Sequence, residues 1–499
     1  MQLNGKVIES YKAVLGYIGI LTMIIGGIML LPIFVILIYP NELGYALNFV
    51  IPAAIAILLG FFLSLLIRGK KKRQLSLRQD TVIVIAVWLL AAFFSAVPFM
   101  LSKQLNFTQA FFEAVSGWTT TGLSVVDVTA TPKIYLLFRS IMQFFGGVGL
   151  VLVMLSALSG TYGMRLYNAE GHSDKLLPNL AKSARIIMSI YAGYVVAGTI
   201  LYVFLGMPLF DAINHSICAL STGGFSTQVD SIGTYKSLPI ELVTIILMLM
   251  GTTNFAAHLL LIRGKFRSFF RVGEMRFMLV LLGLMIPIVS FVSLNGIYGN
   301  IPQGLRASAF QVVTALSTTG FSTVSFNSWT PFPIFLLIVL MLIGGGAGST
   351  AGGIKQNRIY LLFKAFFWQL RKKFLPEHLV NEDYVYRPEG KLFIEERHIS
   401  EASNYTFVYM VTFFAGVSIM TANGYSLQDS LFEYASTLGT VGLSVGITLP
   451  TTPPIVLWTQ IVGMLFGRLE IYVIFIAGIK IFKDGRNVIV RAAKNKGTW

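Results

Sequence analysis

Ten apolar stretches constrain this chain more than anything else in it. They lie near residues 14–39, 46–67, 81–101, 134–158, 186–205, 238–262, 277–294, 333–363, 406–421 and 455–481. Each approaches or exceeds the roughly 20 residues with which a helix crosses a hydrocarbon core of about 30 Å. In lipid only helices or closed barrels satisfy their own backbone, so these runs predict an all-α integral membrane protein with ten transmembrane helices. Composition agrees. Of 499 residues 55% are apolar and 12% charged, too few charges to cover a water-facing surface of that size. Cys218, the one cysteine, excludes an intrachain disulfide and any multi-cysteine metal site. Residues 1–30 run into an apolar stretch without a small-residue cleavage pattern, so a retained helix is expected and not a cleaved signal.

Basic residues orient the spans. The loop 68–78 carries Arg68, Lys70, Lys71, Lys72, Arg73 and Arg78, which the positive-inside rule places in the cytoplasm. Ten alternating spans then put both termini inside. The outer segments hold only Lys103, Lys133, Lys236 and Arg306; Arg139 and Arg468 fall within spans, and the other basic residues are assigned to the cytoplasm. The net charge of +16 is thus an expression of topology, and no nucleic-acid partner is expected.

Between full spans lie four apolar segments of about half a span's length, residues 107–117, 209–220, 304–316 and 427–438. Segments this short read as re-entrant helices, which survive at membrane depth only under a cover of protein or a water-filled cavity. Each ends in a related string: Thr119-Thr120-Thr121-Gly122-Leu123-Ser124, Ser221-Thr222-Gly223-Gly224-Phe225-Ser226, Ser317-Thr318-Thr319-Gly320-Phe321-Ser322 and Gly439-Thr440-Val441-Gly442-Leu443-Ser444. Nine positions before each glycine stand Glu113, His215, Gln311 and Glu433, all polar. The unit is span, half-helix, Thr-x-Gly loop, span. Four copies follow two extra helices, which divides the chain into 1–79, 80–163, 164–263, 264–398 and 399–499.

A Thr-x-Gly loop entered from a half-helix can aim successive carbonyl oxygens at one axis, with glycine permitting a backbone that a Cβ would obstruct. Four loops about a pseudo-fourfold axis would replace the hydration shell of a monovalent cation, and Thr440-Val441-Gly442 matches the start of the potassium-channel filter signature. The half-helices would turn their negative carboxyl ends toward the ion. Candidate filter residues are Thr120, Thr121, Gly122, Thr222, Gly223, Gly224, Thr318, Thr319, Gly320, Thr440, Val441 and Gly442.

With these motifs the chain resembles the Trk/Ktr/HKT superfamily of cation transporters, and in particular bacterial Trk system potassium uptake proteins of the TrkH type. The resemblance covers the whole chain, including the two extra amino-terminal helices, the segment 344–355 (GGGAGSTAGGIK) and Gly467-Arg468-Leu469-Glu470. It implies potassium uptake across a bacterial inner membrane, with K⁺ in the filter and no covalently bound cofactor. It also implies a homodimer, a cytoplasmic nucleotide-binding regulatory subunit of the TrkA type, and an intramembrane gating loop. That gate would comprise Gly344, Gly345, Gly346, Gly348, Gly352 and Gly353 with Arg468.

Other motifs have narrower meanings. Gly346-Ala347-Gly348-Ser349-Thr350-Ala351 satisfies a dinucleotide-binding pattern, but a membrane-length apolar run precedes it where that fold needs a strand. Close helix packing through small residues or an unwound stretch lining the path are the remaining readings, and the length of the run favours the second. Arg468 lies 26 positions after Gly442, as Gly346 does after Gly320, which predicts a meeting at one depth. It would face the ion path, pair with Glu470 or another acid, or both. Asp211 and Asp429 are expected as N-caps of their half-helices. His215 has no metal-ligand spacing. The basic-aromatic segments 263–276 and 364–374 suit lipid headgroups, or a docking partner. Within transport, a Na⁺-permeable or Na⁺/K⁺-coupled carrier is the rival. A lipid-modifying membrane enzyme lacks any constellation of catalytic residues.

Overall fold

The computed structural model describes residues 2–67, 78–149, 180–294, 297–298, 300–326, 328–374, 376 and 383–496. The basic loop 68–77, residues 150–158 of the expected span 134–158 and the boundary expected at 163/164 lie outside them.

Two helices open the chain, α1 (Gln2–Met29) and α2 (Ala46–Ser64). They pack closely because a Cβ on Gly19 would lie 2.6 Å from Gly60 O, and one on Gly60 would lie 2.5 Å from Gly19 O. Then the four-part unit begins. Repeat 1 contains α3 (Gln79–Leu101), the half-helix α4 (Phe107–Trp118) and α5 (Lys133–Val148). Repeat 2 contains α6 (Leu180–Phe204), the half-helix α7 (Leu209–Leu220), α8 (Leu238–Gly251) and α9 (Phe255–Ile262), with the one-turn α10 (Phe266–Phe269) after it. Repeat 3 contains α11 (Gly273–Leu294), the half-helix α12 (Ile301–Leu316), α13 (Pro331–Ile343) and α14 (Gln356–Lys372). A hairpin of β1 (Tyr384–Arg387) and β2 (Gly390–Phe393) leads into α15 (Glu396–Ala422), the half-helix α16 (Leu427–Leu438), α17 (Pro454–Leu469) and α18 (Ile471–Lys496).

Local chemistry starts three half-helices where the sequence places them, and α12 at Ile301, three residues before the expected 304. Asn106 and Gln109 form a capping box on α4, the Asn300 side chain accepts from Gln303 N on α12, and Ser426 Oγ accepts from Asp429 N on α16. Asp211 and Asp429 therefore do not cap. Pro208 precedes α7, and the Asp211 carboxylate instead accepts from Thr227 Oγ1, Gln228 Nε2 and Tyr235 OH, which ties the outer segment down.

The four units close a ring. The second span of each packs on the half-helix of the next: α5 on α7, α8 on α12, α13 on α16, and α17 back on α4. On the outside, α2, α6, α11 and α15 leave Phe62, Phe204, Phe291 and Phe407 exposed, the surface a bilayer covers.

Among the described residues six helices are long and apolar enough to cross a membrane, and two bent pairs raise that to eight. The second spans are the difference. They were expected to run straight in repeats 2 and 4, but α8 and α9 meet at 113°, and α17 and α18 at 100°. In repeat 3 the expected span 333–363 is interrupted by the loop 344–355.

Above these breaks glycine sets the packing distance. A Cβ on Gly146, Gly251 or Gly467 would lie 1.9, 2.3 or 2.0 Å from the terminal carbonyl oxygen of its own half-helix, on Trp118, Leu220 or Leu438. Backbone cannot yield as a flexible side chain can. Gly467→Ala should therefore cost about 1–3 kcal/mol of stability and lower the thermal midpoint of the detergent-purified protein. Gly283→Ala, where a Cβ meets nothing within 4 Å, should leave that midpoint unchanged.

Candidate functional site

Each half-helix ends at the same point of its motif, and the chain turns at once into the Thr-x-Gly loop. Thr120, Thr222, Thr318 and Thr440 have φ of 55°, 51°, 55° and 50°, and Gly122, Gly224, Gly320 and Gly442 have φ of 88°, 73°, 86° and 96°. Positive φ in a β-branched residue is a true outlier. Four outliers at one motif position mark a conformation that the surroundings impose for a purpose.

The loops meet in a closed circle. A Cβ on Gly122 would sit 2.1 Å from Gly223 O, one on Gly224 2.0 Å from Thr319 O, one on Gly320 2.0 Å from Val441 O, and one on Gly442 2.2 Å from Thr121 O. Glycines and carbonyls from all four repeats thus alternate around one centre, and no other residue type fits the ring. Above it opens a cavity of about 310 Å³ lined by all four glycines, with Asp127 and Arg139 on its wall. At the inner edge the hydroxyls of Thr120 and Thr440 are buried and unpartnered.

The polar column behind the loops holds three of them. Glu113 accepts from Ser124 Oγ and Val125 N, and Glu433 accepts from Ser444 Oγ, Val445 N and Thr448 N. His215 Nε2 lies 2.9 Å from Ser226 Oγ. These contacts brace the loops from behind. Arg139, expected within a span, pairs with Glu113 at 2.7 Å with both side chains buried. It also donates to Ser124 Oγ and Ser226 O and lies 4.0 Å from the Phe225 ring centre, so it joins loops 1 and 2. Gln143, which the sequence reading overlooked, donates to Gly223 O and accepts from Phe225 N. Only its place on α5 facing the neighbouring loop marks it out.

Below the ring lies the loop 344–355. Thr222 Oγ1 donates to Thr350 Oγ1 at 3.1 Å, Gly352 N donates to Thr318 Oγ1 at 2.8 Å, and a Cβ on Gly352 would lie 2.1 Å from Thr440 Oγ1. Three of the four loops therefore touch this segment. Asn254, at the break of repeat 2, caps α9 and donates to Ala347 O. Helices, not a strand, flank the segment, so the dinucleotide pattern has no structural counterpart.

Arg468 does meet the glycine-rich loop, though at Thr350 and not at Gly346. Its guanidinium donates to Thr350 O at 2.6 Å, to Gly147 O at 2.7 Å and to Gly146 O. The pairing with Glu470 does not form. Glu470, at φ 58°, turns the chain between α17 and α18 and pairs with Arg358 at 2.9 Å. Lys355 and Arg358, assigned by sequence to the cytoplasm, lie instead where the loop returns beneath the ring. Lys355 Nζ donates to Ala351 O, and Arg358 lies 3.9 Å from the Tyr405 ring centre. Among the described residues no group of three or more His, Cys, Asp or Glu could hold a metal.

Residues 46–489 match the TrkH family, described as cation transport proteins. The chain is 32% identical over 467 residues to an uncharacterized cation transporter of Methanocaldococcus jannaschii, covering 93% of this chain and 94% of that protein. It is 32% identical over 483 residues to the Trk system potassium uptake protein TrkH of Salmonella typhimurium, covering 93% and 98%. The crystal structure of the potassium transporter TrkH from Vibrio parahaemolyticus aligns with a TM-score of 0.81 at 28% identity, over 93% of this chain and 98% of that one. A four-part ring at membrane depth and these matches along nearly the whole length place the chain in the TrkH family of cation transport proteins.

Proposed function

We propose that this chain takes up K⁺ across a bacterial inner membrane, down the ion's electrochemical gradient, through the ring of Thr-x-Gly loops. Membership of a transporter family sets it apart from enzymes, and the relatives named as potassium uptake proteins support the choice of ion. The observation that carries the reading is the closed alternation of four glycines with the carbonyls of Thr121, Gly223, Thr319 and Val441. Those carbonyls, with Thr120, Thr222, Thr318 and Thr440 beneath, would stand in for the water that K⁺ sheds. The negative ends of α4, α7, α12 and α16 stop just behind them and favour a cation at the centre.

Ion flux into liposomes holding the purified protein, compared for K⁺, Rb⁺, Na⁺ and Li⁺, tests the assignment against a Na⁺-permeable or coupled carrier. Gly320→Ser should lower the K⁺/Na⁺ flux ratio, since any Cβ there meets Val441 O. An unchanged ratio in folded Gly320→Ser would remove the four-loop filter.

The loop 344–355 fits a gate because it lies directly under three filter threonines and is built of residues small enough to bend and move aside. Gly344, Gly345, Gly346, Gly348, Gly352 and Gly353 supply that freedom, and Arg468 holds the loop in place through Thr350 O. An arginine stays charged at any accessible pH. At a separation of about 6 Å and an effective dielectric near 20 it repels K⁺ by about 2–3 kcal/mol. Arg468→Ala should therefore raise K⁺ flux per folded protein and leave the K⁺/Na⁺ ratio intact. A folded variant that conducts no more than the parent would refute both the barrier and the latch.

The remaining parts of the reading are a homodimer in lipid, both termini in the cytoplasm, and a separate nucleotide-binding regulatory subunit on the basic face. The hairpin β1–β2 with α10 and α14 offers that subunit Arg267, Arg271, Arg371, Lys372 and Arg387. Crosslinking in native membranes followed by purification should recover a soluble nucleotide-binding protein with this chain. Its absence would count against the partner.

A further inference from the structure

The ring is braced unevenly. In repeats 1, 2 and 4 the column residue of the half-helix reaches the serine two places after the filter glycine: Glu113 to Ser124 at 3.0 Å, His215 to Ser226 at 2.9 Å, Glu433 to Ser444 at 2.8 Å. In repeat 3 the column residue is Gln311. It is fully buried, and neither its Nε2 nor its Oε1 has a hydrogen-bond partner. Ser308 and Thr314, one turn to either side on the same face, are also fully buried with unpartnered hydroxyls. Half-helix α12 thus carries a buried polar stripe whose side chains bond nothing, although its backbone still meets the loop, where Thr319 N donates to Thr314 O at 3.0 Å.

Loop 3 is held from elsewhere. Its outer part is tied to repeat 2, where Ser322 N donates to Ser231 Oγ at 3.3 Å and Gly233 N donates to Ser322 O at 3.1 Å. Its inner part is tied to the glycine-rich loop, through Gly352 N and Thr318 Oγ1. Both anchors belong to other segments, and one of them to the segment assigned to gating. A ring of carbonyls discriminates between cations of different size only as far as its members keep their spacing. The quarter without its own brace is the one that can give way.

Resting on the filter reading above, we infer that Gln311 is a specificity-determining position: it leaves loop 3 the compliant quarter of the ring, and this quarter limits K⁺/Na⁺ discrimination. Gln311 touches no ion. It acts by not holding Ser322, so supplying the missing brace improves selectivity.

The test is the K⁺/Na⁺ initial flux ratio in liposomes, per folded protein. Gln311→Glu puts at this position the carboxylate that Glu113 and Glu433 use, and should raise the ratio about threefold or more. Adding Ser322→Ala to Gln311→Glu removes the hydroxyl half of the brace and should cut the gain by about half or more while keeping the new charge, which separates a brace from simple cation attraction. Ser322→Ala alone should leave the ratio unchanged, whereas Ser124→Ala and Ser444→Ala should each lower it. If Gln311→Glu fails to fold, Gln311→His, built as in repeat 2, gives the same comparison. An unchanged ratio in the folded Gln311 variant, a gain undiminished by Ser322→Ala, or a fall in Ser322→Ala alone would each overturn the inference. Gly320→Ser separates the two levels: if it leaves the ratio unchanged the filter itself is refuted, and if it lowers the ratio while the Gln311 variants do nothing, only the role of Gln311 falls.

Discussion

A backbone that leaves the helix at membrane depth must find its hydrogen-bond partners inside the protein, and in this chain four loops do so side by side. Each turns out of a half-helix through a threonine with positive φ into a glycine whose missing Cβ is the space taken by the next loop's carbonyl. The circle closes only when all four are present. Everything around it follows from covering those loops: half-helices that stop at the ring, second spans that pack on the neighbouring half-helix, and glycines at positions 146, 251 and 467 that let a span reach the half-helix backbone.

The same constraint accounts for the breaks beneath the ring. Straight second spans would leave no room below the loops, and the breaks differ in how their freed backbone is satisfied. In repeat 2 Asn254 caps the continuing helix, in repeat 3 a run of small residues folds back beside Leu342 and Ile343, and in repeat 4 Glu470 takes a strained conformation. That strain costs on the order of 1–3 kcal/mol, and the same residue forms a half-buried pair with Arg358 at 2.9 Å. Arg468 then donates to three carbonyls, two at the end of α5 and one in the glycine-rich loop. One side chain thereby ties repeats 1, 3 and 4 together just under the ring.

Charge at this depth is managed by pairing or by backbone. Glu113 with Arg139 and Glu470 with Arg358 are pairs whose separation would strand a partly or fully buried charge. Glu433 lies fully buried and is satisfied by hydroxyls and backbone amides of its own loop. Repeat 3 is the exception, with Gln311 facing its loop and no bond made. The fourfold plan is therefore a plan of backbone, and the side chains behind it are not the same in all four quarters.

The membrane class, the four-part repeat, the half-helices to within three residues and the glycine positions of the ring were legible in the sequence. Each depends on local composition: apolar run length, caps such as Asn106 and Ser426, and a Thr-x-Gly string repeated in register. It also placed Arg468 against the glycine-rich loop, because superposed repeats share their depth. Which partner each buried polar group found depended on how distant segments came together. Arg468 meets carbonyls and leaves Glu470 to Arg358; Asp211 ties down an outer segment and caps nothing; Lys355 turns beneath the ring; Gln311 alone in its column reaches no serine. Hydropathy could not foresee the bends at Asn254 and Glu470 either, since both halves of each span are apolar and the bend is imposed by the space below the ring. Spacing along the chain sets which residues share a face and a depth, but a hydrogen bond is won by whichever group other segments bring within about 3 Å.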